Sequence, residues 1–189
     1  MPDVVTIGGS PASPSRCAAA LGQVRAELAA RGIAADSVEV RDLDPQALVW
    51  AQFAPPAIVE AVAAVREARA VVIASPVYKA SCSGLLKTFL DLLPPGALDG
   101  KTVLPVTTAG SLAHCLAIDY AMKPVLSSLG ARHILQGACL VDSDFLYADG
   151  GAISLVGAAR DRLWQSLDEL EDALRRQRRV ETLLQEVSA

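Results

Sequence analysis

The sequence predicts an α/β fold: a three-layer sandwich in which a five-stranded parallel sheet carries helices on both faces. Three observations lead there. Strand-like and helix-like segments alternate along the chain. The central strand-like runs are short, β-branched and apolar, as strands covered on both faces must be. And 189 residues, 52% hydrophobic and 20% charged, suit one compact domain over positions 1–189 and are too few for two ordinary ones.

The elements follow in order. Val4 to Ile7 reads as the first strand, ending at Gly8-Gly9, and a helix from roughly Ser15 to Ala30 stops at Gly32. Ser37 to Arg41 alternates as a second strand. Ile58, Val62 and Val65 share one stripe of a helix over Pro56 to Ala68. Ala70 to Ala74 is a central strand, followed by a helix from Ser83 to Leu93 that ends at Pro94-Pro95-Gly96. Thr102 to Thr107 is the fourth strand, Leu112 to Leu129 a helix ended by Gly130, and His133 to Val141 contains the fifth strand. A last helix and tail occupy about 154–189, with Leu163, Leu167, Leu170 and Leu174 on one face. Right-handed crossovers then favour the flavodoxin-like strand order 2-1-3-4-5. The connection from Asp42 to Pro55 is long and carries Trp50 and Phe53, either as a cover over a site, as an interface, or as a loop capped onto its own core.

Composition narrows the function. A net charge of −4 argues against nucleic acid or an anionic membrane as partner. The run Arg175, Arg176, Arg178 and Arg179 reads as the solvated last turns of a helix, where cations complement the dipole. No apolar stretch is long enough to span a membrane and the N-terminus runs straight into a strand, so the expected location is the cytoplasm. Cys17, Cys82, Cys115 and Cys139 are scattered without metal or redox spacing and are expected to be reduced thiols. No cluster of histidines or carboxylates is spaced for a metal.

In such folds ligands lie at the carboxyl ends of the strands. The first turn there is GGSPASPSR at 8–16. Its glycines allow close backbone approach, Ser10, Ser13 and Ser15 offer hydroxyls, Arg16 a charged fork, and the helix that follows an N-terminus favouring anions. The turn is neither G-x-G-x-x-G nor a lysine-bearing P-loop. It suits a terminal monophosphate such as that of FMN; the plainer reading is a turn with a capping serine and a surface arginine. After the third strand, Pro76 stiffens a loop whose amides can face a flat polar ring, with Val77 and Tyr78 beside it; Tyr78 also fits ordinary packing. After the fourth strand, Thr108 and Ser111 can donate and Gly110 permits close approach, while His114 reads as structural rather than catalytic.

Taken together, GGSPASPSR at 8–16, ASPVYKASCSGLLKTFLDLLP at 74–94 and TTAGSLAHCLAIDYAMKPVLSSLGA at 107–131 resemble the NAD(P)H-dependent FMN reductases of two-component alkanesulfonate monooxygenase systems. The likeness covers most of the chain to about Gly137. It implies a homodimer or homotetramer, a dimer of dimers with FMN at a subunit interface. It also implies hydride transfer from NADPH or NADH to FMN, and delivery of reduced flavin to a partner flavin-dependent monooxygenase that desulfonates alkanesulfonates. By position, Ser10, Ser15 and Arg16 would hold the phosphate, Pro76, Val77, Tyr78 and Ser81 would line the ring, and Thr108 and Gly110 would meet its polar edge. The chain departs from the pattern at Cys82, where an aromatic is common, and at Ala109-Ser111, where the turn is usually richer in glycine. Rival expectations on the same fold are an NAD(P)H quinone or azo reductase with tightly bound FMN, and a non-enzymatic flavodoxin-like electron carrier.

Pro124 adds a local prediction. It has no N–H for the Tyr120 carbonyl, so the helix must kink or widen into a π-bulge there. The resemblance puts a tyrosine inserted in a π-helix at this point, at the tetramer interface, where Tyr120 would govern flavin release and transfer.

Overall fold

A computed structural model describes residues 2–187. Strands β1 (Val4–Gly8), β2 (Ala35–Glu39), β3 (Ala70–Pro76), β4 (Thr102–Ala109) and β5 (His133–Ile134) form a parallel sheet in the order β2-β1-β3-β4-β5, with β6 (Ala138–Val141) also pairing with β4. The fold class and the strand order 2-1-3-4-5 are as the sequence predicts. What reads as one fifth strand is two pieces separated by a jog. Gly137 lies there at φ 88°, and a side chain on it would meet the Pro105 carbonyl oxygen at 2.5 Å. Only glycine fits both the conformation and the space.

Strand alternation sorts the core into two layers. Val5, Ile7, Val71, Ile73 and Val103 pack with α3 (Pro56–Glu67), α4 (Gly84–Leu90) and α5 (Lys123–Ser128). Val4, Ala70, Val72, Leu104 and Val106 face α1 (Arg16–Ala30) and α6 (Gly157–Val187). The predicted stripe Leu163, Leu167, Leu170 and Leu174 is buried, each leucine contributing about 2 kcal/mol. Arg31 fastens the end of α1 to α6 through Asp168 and Glu171.

Several boundaries move. β2 lies two residues before the predicted Ser37–Arg41. The long connection holds a short helix α2 (Pro45–Val49), capped by Asp44 with proline in its first turn, a pairing the sequence displays openly. Trp50 and Phe53 remain exposed beyond it. The last helix starts at Gly157 rather than near Ser154, because Ile153–Leu155 (β8) pairs antiparallel with Phe145–Tyr147 (β7). Since α6 runs on to Val187, the arginine run is not in its last turn. Arg175 pairs with Glu171 and Arg178 with Asp3.

The expectation of four reduced cysteines is also corrected: Cys115 and Cys139 are disulfide-bonded. Their separation of 24 in sequence conceals that β6 and the turn after β4 converge. Cys17 and Cys82 are free. Among the described residues no helix is long and apolar enough to cross a membrane, and no group of metal-ligating side chains assembles.

Candidate functional site

The turn after β1 is fixed from both ends. Gly9 N–H donates to the Ala74 carbonyl at 2.8 Å, and the Ser83 hydroxyl donates to the Gly9 carbonyl. Gly8 and Gly9 also lie against the protein's own side chains. A Cβ on Gly8 would strike the Glu39 carboxylate at 2.1 Å, and one on Gly9 the Leu86 Cβ at 2.6 Å. Ser15 caps α1, accepting from Ala18 N–H at 3.1 Å, and Ser10 accepts from Ala12 N–H at 3.3 Å. Both serines are 7% exposed. Each accepts in these bonds and so keeps its own proton to donate. The first turn of α1 holds no acidic residue, leaving its dipole free to attract an anion.

Arg16 also has partners within the protein. Its Nη1 donates to the Ala109 carbonyl at 3.4 Å and pairs with Asp142, and the guanidinium lies 5.8 Å from the centre of the Phe145 ring. It therefore ties the first turn to the end of β4 and to the turn after β6. Glu39, 3.8 Å from Arg25, is half-buried, and burial pushes its carboxyl above the usual range against the pull of Arg25.

The turn after β3 is strained. Tyr78 and Ser81 exchange backbone hydrogen bonds at 2.8 and 3.0 Å, with Lys79 and Ala80 between them at φ 50° and 61°. This is a tight reverse turn with two left-handed residues, neither of them the glycine or asparagine that such a turn favours. Val77 N–H donates to the Thr108 carbonyl at 2.8 Å. So the amides of Val77, Tyr78 and Ser81 hold the loop's own shape, and what the loop offers outward is the Tyr78 side chain, 49% exposed.

At the end of β4 the side chains alternate. Thr108 faces α1, its hydroxyl 3.2 Å from the Cys17 sulfur, whose thiol burial pushes up to about 11. Thr107 faces the other way, and its buried hydroxyl has no partner among the described residues. Nothing of the protein fills the space where a Gly110 side chain would stand. His114 is exposed, 3.3 Å from the Ser111 hydroxyl and outside the cavities described below.

A cavity of about 280 Å³ opens at the carboxyl edge of β1, β3 and β4 and is lined by Ser10, Ser15, Arg16, Pro76, Tyr78 and Thr108. Three turns far apart in sequence thus meet at one place. Ser13 lines a neighbouring cavity of about 640 Å³ with Glu39, Arg41 and Asp42. Val77, Ser81 and Gly110 flank the smaller cavity in the chain without lining either. The β7–β8 hairpin supplies residues that sequence reasoning missed: Tyr147, Gly151 and Ile153 lie over the first turn. The signal was present in Gly150-Gly151, both at positive φ, between Phe145-Leu146-Tyr147 and the alternating Ile153-Ser154-Leu155.

Residues 2–145 match the sequence profile of the NADPH-dependent FMN reductase family. The chain belongs to that family. An FMN reductase (NADPH) of Pseudomonas putida is 46% identical over 177 residues, covering 93% of this chain and 90% of the relative. The FMN reductase (NADPH) of Escherichia coli K12 is 43% identical over 143 residues, covering 76% and 75%. The apo crystal structure of an NADH:FMN oxidoreductase superposes with a TM-score of 0.80 at 37% identity, covering 90% of this chain and 88% of that one. The protein is an NAD(P)H:FMN oxidoreductase, with FMN and a reduced nicotinamide as its cofactors.

The residues present fit such a flavin. Two buried serine hydroxyls with free protons, an acid-free helix N-terminus and an adjacent guanidinium form a donor set for a phosphate dianion. The stiff turn bearing Tyr78 and the open space above Gly110 leave room for a flat ring system.

The predicted helix after β4 is three segments: a 3₁₀ turn (Leu112–His114), a π-helix (Ile118–Met122) and α5. Pro124 lies in the first turn of α5, where its missing N–H is tolerated, and the widened turn falls just before it. Tyr120 stands in the π-helix, 81% exposed.

Proposed function

We propose that this FMN reductase treats FMN as a substrate as much as a bound cofactor, reducing it with NADPH or NADH and passing the reduced flavin to a partner flavin-dependent monooxygenase, one that desulfonates alkanesulfonates. In this reading Ser10, Ser13, Ser15 and Arg16 hold the phosphate. Pro76, Val77, Tyr78 and Ser81 shape the seat of the ring, and Thr108 and Gly110 meet its polar edge. Bound FMN supplies the hydride acceptor. The chain's own part is orientation: a phosphate anchored at α1 fixes one end, and the stiff turn at Tyr78 leaves one face of the ring open to nicotinamide. No acid or base among the side chains is needed for that transfer.

The observation that carries the proposal is the cavity where Ser10, Ser15, Arg16, Pro76, Tyr78 and Thr108 converge. Release is assigned to the π-helix. Tyr120, exposed on a widened turn, supports a role in assembly into dimers or tetramers and in flavin transfer, and the protein is taken to act in the cytoplasm. Steady-state oxidation of NADPH and NADH with FMN, FAD and riboflavin tests this. FMN turnover by protein that purifies without colour supports it. Persistently yellow protein that turns over quinones or azo dyes in preference to FMN contradicts it, as does an absence of NAD(P)H consumption.

A further inference from the structure

The disulfide between Cys115 and Cys139 lies where the function just proposed needs control. Cys139 is in β6, in register with Thr107 at the end of β4. The Cys115 carbonyl accepts from Ile118 N–H, the first residue of the π-helix, at 3.3 Å. The stretch from Gly110 to Cys115 leaves β4 where the proposed reading sets the polar edge of the ring. No residue from 110 to 116 is buried, so this stretch has little packing of its own to hold it, and such segments open locally at low cost. The covalent bond, with Cα atoms 5.4 Å apart, is what ties it to the sheet. Both cysteines are half-exposed and within reach of a small oxidant. Cys17 is unlike them: buried, and with its thiol pushed up to about 11, it stays protonated and inert.

We propose that Cys115 and Cys139 form a reversible, peroxide-responsive latch that, when closed, holds the turn after β4 and the π-helix in the arrangement that retains flavin. The proposal rests on the reading that this turn contacts FMN. The oxidant follows from the activity. Reduced flavin that escapes into solution gives two electrons and two protons to O₂, yielding FMN and H₂O₂. One thiolate attacks the peroxide, the O–O bond breaks, and a sulfenic acid and water result. The second thiolate displaces hydroxide from that sulfur, which leaves as water with the remaining proton. Two thiols lose two electrons to one peroxide, and a dithiol reductant reverses the step. Leaked reduced flavin thus closes the latch that limits further leakage.

The test uses the full chain, treated either with H₂O₂ or with a phosphine reductant and then desalted. Thiol labelling of the unfolded protein is expected to find Cys115 and Cys139 blocked after peroxide and all four cysteines free after reduction, with a disulfide-linked peptide pair containing Cys115 and Cys139. FMN is expected to bind about fivefold more tightly to the oxidised form, an effect of roughly 1 kcal/mol. Amide exchange over 110–122 is expected to be slower in that form. Cys115→Ser and Cys139→Ser should each stay at the reduced form's affinity whatever the treatment. Four thiols after peroxide, or equal FMN affinity in two forms whose thiol counts differ, overturns the latch. Failure of the underlying reading looks different: exchange over 110–122 still responds to oxidation, but added FMN slows exchange there in neither form, and the link to flavin retention falls with it.

Discussion

The turn after β1 and the stretch after β4 both lie at the carboxyl edge of the sheet, yet they are built in opposite ways. The first is held by Gly9 to β3, by Ser83 from α4 and by the Ser15 cap, and its key hydroxyls are buried. The second has no buried residue from 110 to 116, enters a π-helix and is tied down by one disulfide. In the proposed reading, the phosphate end of FMN meets geometry prepared before binding, and the ring end meets a segment with little packing of its own. If the protein both grips and surrenders a flavin, as proposed, that asymmetry gives it a fixed phosphate anchor for recognition and a loose ring-side wall for release.

Substitutions can break or sharpen the contrast. The largest effect is expected at the anchor. Arg16→Ala should weaken FMN binding by about 2 kcal/mol, roughly thirtyfold, as read by fluorescence titration, and leave riboflavin binding little changed. Asp142→Asn, which frees the guanidinium from its ion pair, should move FMN affinity the other way. On the loose side, deleting Tyr120 should restore a regular helix and leave a folded protein that retains FMN about fivefold more tightly, an effect of order 1 kcal/mol; unchanged affinity would remove the π-helix from the account. Ala80→Gly should relieve a left-handed residue and stabilise the fold by up to about 1 kcal/mol in urea denaturation, with no gain in FMN affinity.

The smallest effect is expected at Glu39. Its carboxyl is raised by burial, so ionising it in the folded state costs stability. That cost is absent below the ordinary glutamate value of 4.5 and grows as pH rises through the raised one. Glu39→Gln should therefore match the wild type in acid and be a few tenths of a kcal/mol more stable at neutral pH. Thermal unfolding at the two pH values checks it.

The turn after β1 was far more legible in the sequence than the stretch after β4. β-branched runs ending in glycine and serine place the first turn, and Ser15 caps its helix, because these effects are local. The π-helix was legible too, since Pro124 acts on the carbonyl four residues before it. What escaped depends on contacts between distant segments. The Cys115–Cys139 bond needs β6 beside β4, the ion pair of Arg16 needs Asp142 brought across the edge of the sheet, and the break at Gly137 is set by the Pro105 carbonyl. The contact of Leu86 with Gly9, which leaves no room there for a side chain, is likewise set by a distant segment. The β7–β8 hairpin sits between these cases: its glycine turn is local, but its place over the cavity is not.

The most direct test of the anchor is calorimetric titration of the protein with FMN and with riboflavin, which differ only in the phosphate. Several charge-assisted contacts at Ser10, Ser15, Arg16 and the start of α1 predict FMN binding at least about a hundredfold tighter. Equal affinity for the two flavins would contradict the phosphate site and the role given to every residue around it.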